Sequence, residues 1–106
     1  MVSIKSSKFI MENERVKRVY TEIYKICREY GAEQVILFGS RAKGTAMMRS
    51  DIDIAVSGVR DFYDLEDKLE QIETLYSIDV VDMDNCKNEG LMSDIEQYGH
   101  ELSKEI

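Results

Sequence analysis

Three observations predict an α/β fold in which a small mixed β-sheet is covered by helices. Apolar residues recur at helical spacing in three separated segments of the 106-residue chain. Short apolar or alternating runs of strand character lie between those segments, and the two kinds of segment follow one another along the chain, as layered α/β folds require.

The elements follow in order. After a polar tail over residues 1–10, Val16, Val19, Tyr20, Ile23, Ile26, Cys27 and Tyr30 share one face of a helix from about 11 to 30, and Gly31 supplies its stop. Val35-Ile36-Leu37-Phe38 reads as a buried strand running into the turn Gly39-Ser40-Arg41-Ala42-Lys43-Gly44. The loop Thr45-Ala46-Met47-Met48-Arg49 separates that turn from a second strand over 51–57, which ends at Gly58. A helix from about 61 to 75 carries Phe62, Leu65, Leu69 and Ile72 on one face and Asp64, Glu66, Asp67 and Glu70 around the rest. Ile78 to Met83 forms a third strand, and Leu91, Ile95 and Tyr98 mark a last helix over 88–99. Gly99 then breaks it before a tail from His100 to Ile106. The expected architecture is three strands under one helical layer, with the other sheet face open to hold a site.

Chemistry concentrates between Gly39 and Val56. Glycine at 39 lets the backbone bend and approach a ligand closely, and Ser40 with the following amides can open a helix whose N–H groups face phosphate oxygens. In the next strand Ile52, Ile54 and Val56 point one way, whereas Asp51, Asp53, Ala55 and Ser57 point the other. Two aspartates on one face, about 7 Å apart along the backbone, can converge on a divalent cation. Bare anions facing a triphosphate would repel it, so a cation makes the pair sensible. An all-oxygen donor set without histidine or cysteine points to Mg²⁺ rather than zinc. Asp79 supplies a third carboxylate early in the apolar strand Ile78 to Met83, with Asp82 as the alternative. A carboxylate there could hold the ion or accept a proton from an activated hydroxyl.

Two better-known loops fail the comparison. A P-loop requires lysine and then serine or threonine after its second glycine, whereas Thr45-Ala46 follows Gly44. A calcium loop starting at Asp51 would need an oxygen ligand and a glycine where Ala55 and Val56 stand. Asp-x-Asp can also be a solvated strand face, and Gly-Ser a mere helix entrance; it is their combination at this spacing that indicates a site.

These residues resemble the nucleotidyltransferases of the DNA polymerase β type, and among them the minimal, single-domain members paired with HEPN proteins. Gly39, Ser40, Ala42, Lys43 and Gly44 look like the glycine-serine opening of that family, Ser50, Asp51 and Asp53 like its serine-aspartate-x-aspartate strand, and Asp79 like its third aspartate. Lysine at 43, where arginine is frequent, keeps the charge and loses the planar fork. The resemblance implies the polymerase β-like nucleotidyltransferase fold and transfer of a nucleoside monophosphate, from ATP or another NTP, to a hydroxyl. Under it, Asp51, Asp53 and Asp79 serve as catalytic and metal residues for two Mg²⁺ ions. Gly39, Ser40, Gly44 and Ser50 bind nucleotide, and Arg41 or Lys43 adds positive charge. It further implies a HEPN-type helical protein, modified on a tyrosine, as acceptor.

Composition bounds the reading. The length suits one domain over 1–106 with little room for a separate acceptor-binding domain, so a partner protein or a self-assembled dimer is expected to supply that half. A net charge of −7 argues against a broad nucleic-acid surface, and hence against a polymerase or terminal transferase. Arg41, Lys43 and Arg49 bracket the glycine turn, whereas Arg15, Lys17 and Arg18 read as solvated charges. Two cysteines make no disulfide framework, and Cys27 reads as a small buried hydrophobe. With no leader-like or membrane-spanning run, a cytoplasmic setting is expected. His100, the only histidine, reads as a surface or helix-end residue. Met47 and Met48 read equally as base or partner contacts and as gap fillers. The competing function is a binding module: an antitoxin that neutralises a HEPN ribonuclease by contact, without catalysis.

Overall fold

A computed structural model describes residues 14–47 and 50–103, so the expectations for the 1–10 tail, Met48 and Arg49 lie outside the described residues. The elements are α1 (Glu14–Glu29), β1 (Gln34–Phe38), α2 (Gly39–Lys43), β2 (Ile52–Ser57), α3 (Phe62–Glu70), β3 (Ile78–Asp82), α4 (Glu89–Tyr98) and β4 (His100–Glu101). The four strands make one mixed sheet in the order β3-β2-β1-β4. β1 runs antiparallel to both β2 and β4, while β2 and β3, joined through α3, run parallel.

Alternation along the strands sorts side chains into two cores. Val35 and Leu37 of β1, with Ile52, Ile54 and Val56 of β2, face α1 and α3 and pack with Val16, Tyr20, Ile23, Cys27, Leu65 and Leu69. On the opposite face Phe38 and Ala55 pack with Ile95 of α4, joined by Ile36, Val81, Leu91 and Met92. The second face is therefore covered over part of its width, not open as the sequence suggested: the Leu91–Ile95 stripe had to be buried, and its place is across the sheet from α1. Burial raises the Cys27 thiol to about 12 and leaves it an uncharged core group.

Two further differences concern the ends of elements. The helix expected to reach residue 75 ends at Glu70, with Gln71 as its C-cap, and residues 71–77 then carry the chain back to start β3. His100 lies in no tail. It pairs with Leu37 in β4, and its Nε2 sits 3.1 Å from the Ala42 carbonyl oxygen. Side-chain acceptors set the helix starts: Asp61 accepts from the Asp64 N–H and Asn88 from the Leu91 N–H.

Candidate active site

The sheet register assembles the site. Phe38 lies opposite Asp53 across the β1–β2 pair, and Asp53 lies opposite Asp79 across the β2–β3 pair. Gly39, one residue beyond Phe38, is thereby set against Asp53: a Cβ at position 39 would fall 2.3 Å from Asp53 Oδ2. Gly39 has φ +73°, a conformation that glycine adopts freely, and it opens α2 toward the carboxylates. Phe38 at the N-cap brings no side-chain acceptor to the first amides of α2. Asp51, one residue before β2, is exposed, Asp53 is half-buried and Asp79 is exposed.

Strand parity separates Asp79 from Asp82. Asp79 and Val81 share the face of Asp53 and Ala55, whereas Ile78, Val80 and Asp82 point to the other side. Asp82 closes the following turn instead, accepting from the Asp84 N–H at 3.0 Å and from Asn85 Nδ2 at 2.7 Å.

The remaining sequence candidates occupy distinct roles in the geometry. Ser50 Oγ accepts the Met47 N–H at 2.8 Å, which folds the loop ahead of Asp51. Ser40 lies half-buried on α2, and its carbonyl accepts the Thr45 N–H at 3.0 Å. Gly44 caps the helix in the left-handed region. Arg41 is only 6% exposed and donates from Nε and Nη2 to the Ser50 carbonyl. Lys43 is exposed and pairs with Asp94 at 2.9 Å, its ammonium 5.0 Å from the Tyr98 ring centroid. Asp94 and Tyr76, which lies beneath Arg41, are the neighbours that sequence reasoning missed. Asp94 left one trace, its i+3 spacing from Leu91 on the apolar stripe of α4.

Electrostatics mark Asp53 as the centre. Its pKa is raised from 3.8 to about 6, first by burial and then by the charges of Asp79 and Asp51, with Arg41 pulling the other way and Asp94 adding a little. A carboxylate crowded by like charges calls for a counter-cation, and an all-oxygen set suits Mg²⁺. Among the described residues no group of three or more acidic, histidine or cysteine side chains is placed to hold a metal ion by itself.

The raised pKa has a signed consequence for stability. The folded state holds the Asp53 proton more tightly than the unfolded chain, so this stabilisation is complete below about pH 4 and disappears as pH rises through about 6. In the absence of divalent cations, the stability of Asp53→Asn relative to wild type is expected to increase across that window. Urea midpoints at a series of pH values check it, and a difference that stays flat between pH 4 and 7 contradicts the crowding argument.

A glycine-opened helix facing a carboxylate rim is the most distinctive surface feature of this small α/β protein. Residues 21–105 match the family described as Polymerase beta, Nucleotidyltransferase, and the chain belongs to that family. It is a nucleotidyltransferase. Its structure is similar to the crystal structure of a toxin–antitoxin with AMP-PNP, at 28% identity and TM-score 0.65, covering 79% of this chain and 72% of that one. It is also similar to the toxin–antitoxin MntA-HpeT in a form with two aspartates replaced by glutamate, at 26% identity, TM-score 0.64 and the same coverages. A proposed nucleotidyltransferase from Sulfolobus solfataricus, at 21% identity and TM-score 0.53 over 95% of this chain and 87% of that one, shares the fold. No protein of curated function matches the sequence. Among the described residues no helix is long and apolar enough to cross a membrane.

Proposed function

We propose that the protein transfers AMP from ATP to a hydroxyl of a partner toxin, in a Mg²⁺-dependent reaction that releases pyrophosphate. The observation that carries this reading is the register of Asp53 with Asp79, level with Gly39 at the mouth of α2. Ser40 and the first amides of α2 hold the distal phosphates, and Lys43, exposed at the end of α2, adds positive charge. Asp51, Asp53 and Asp79 would hold the ions, which when bound neutralise phosphate charge and lower the pKa of the acceptor hydroxyl. The acceptor oxygen bonds to the α-phosphorus as the bond to the β-phosphate oxygen breaks. Asp79, exposed on the edge strand, faces the approaching hydroxyl and takes its proton. The toxin–antitoxin neighbours, one with AMP-PNP, support the nucleotide and the partner class, and the family resemblance points to a HEPN-type helical protein modified on tyrosine.

Incubating the chain with its partner and α-labelled ATP, with and without Mg²⁺, tests this. Label on the partner only with Mg²⁺ is the expected result. A second reading, an antitoxin that works by contact alone, draws on the toxin–antitoxin neighbours, which support a toxin partner whether or not a group is transferred. Under it the partner stays unlabelled, and an Asp51→Asn/Asp53→Asn double variant still neutralises the toxin.

A further inference from the structure

Arginine in a glycine-rich turn suggests a phosphate ligand, yet the surroundings of Arg41 are those of a structural clamp. A guanidinium can hold one carbonyl with two N–H donors along its edge while its face lies on an aromatic ring, a combination that lysine cannot reproduce. Arg41 does both. Its Nε and Nη2 lie 3.0 and 2.8 Å from the Ser50 carbonyl oxygen, and Cζ lies 4.8 Å from the Tyr76 ring centroid. Ser50 immediately precedes Asp51, and Tyr76 stands three residues before Asp79. Between those contacts the Ile52 N–H donates to the Ser77 carbonyl at 2.8 Å, fastening the starts of β2 and β3 together.

We infer that Arg41 is a positioning residue that sets the spacing of Asp51, Asp53 and Asp79 from α2, rather than a ligand of the nucleotide phosphates. One edge and one face of the guanidinium are engaged, and only 6% of the residue reaches solvent. The two contacts lie at the entrances to the two carboxylate strands, while Arg41 itself belongs to the helix that opens at Gly39. A single side chain thus ties the phosphate end of the site to its metal end. The inference rests on the nucleotidyl-transfer reading of this rim.

Its test separates metal affinity from nucleotide affinity, using Mn²⁺ and AMP-PNP as probes on the full chain. Arg41→Lys keeps the charge and loses the fork and the planar stack. It is expected to weaken Mn²⁺ binding measured at saturating AMP-PNP by about tenfold or more, and AMP-PNP binding at saturating Mn²⁺ by less than about threefold. Tyr76→Leu, which removes the ring from the other side, is expected to shift the same constant. The double variant should be no worse than the poorer single one, because both changes break one unit. Tyr76→Phe keeps the ring and restores Mn²⁺ affinity to near wild type. Loss of AMP-PNP affinity with Mn²⁺ affinity unchanged would make Arg41 a phosphate ligand and overturn the inference. So would additive effects of the two substitutions. If Arg41→Lys does not fold, Tyr76→Leu decides alone: unchanged Mn²⁺ affinity overturns the clamp. A wild-type chain that takes up neither probe overturns the nucleotidyl-transfer reading itself, a result distinct from all of these.

Discussion

Asp53→Asn is expected to lower label transfer from α-labelled ATP to the partner on the order of a thousandfold or more, while the chain stays folded. Asparagine keeps the size of the side chain and one carbonyl oxygen, so the close approach of Gly39 and the β2 register survive. What it removes is the charge at the centre of the rim, between Asp51 along the strand and Asp79 across it. That charge is held against burial and two like-charged neighbours, so its loss relieves repulsion in the cation-free protein. The same substitution should therefore leave the melting temperature unchanged or raised near neutral pH without divalent cations. It should also abolish the rise in melting temperature that Mg²⁺ with AMP-PNP gives the wild type. Loss of activity together with loss of fold would point to a structural role for Asp53, and undiminished transfer would sink the catalytic assignment.

The parts of the site legible in the sequence were those governed by strand periodicity. Strand periodicity sets Asp53 opposite in face to Ile52, Ile54 and Val56, which mark the buried side; Asp51 lies one residue before β2, and what joins it to Asp53 is the effect of its charge there. Gly39 was legible because a glycine after four apolar residues has few purposes other than a bend or a close approach. The choice between Asp79 and Asp82 was not. The two lie on opposite faces, but Val80 and Val81 are both apolar, so β3 showed no polar side until its register with β2 was known.

What sequence reasoning missed came from long-range contacts. An amphipathic helix declares that it has an apolar face and not which side of a sheet will receive it, so α4 was expected in the same layer as α1 and α3. β4 has two residues, His100 and Glu101, too few to alternate, and exists because Ile36 and Leu37 offer it a pairing edge. The inward turn of Arg41 depends on the Ser50 carbonyl and the Tyr76 ring, 9 and 35 positions away in sequence, meeting beside one helix. Arginine among glycines reads as a phosphate ligand until those partners are in place.

Gly39→Ala is expected to cost far more activity than stability, and the geometry allows the two costs to be separated. A left-handed φ of +73° penalises alanine by roughly 1–2 kcal/mol. The added Cβ would also fall 2.3 Å from Asp53 Oδ2 and 3.2 Å from its Cγ, so the carboxylate must rotate away from the rim. A short side chain moves at modest energetic cost, yet a displaced carboxylate no longer presents its oxygens where Asp51 and Asp79 present theirs. Transfer is expected to fall about a hundredfold or more, since a misplacement of about 1 Å can cost that much. Gly58→Ala supplies the control. Gly58 has φ +78°, and a Cβ there would meet the flexible Glu33 side chain at the far end of β2, away from the rim. The two variants should lose similar stability in urea, and only Gly39→Ala should lose transfer and Mn²⁺ binding. Equal activity in both would mean that the close approach of Gly39 to Asp53 does nothing beyond folding the turn.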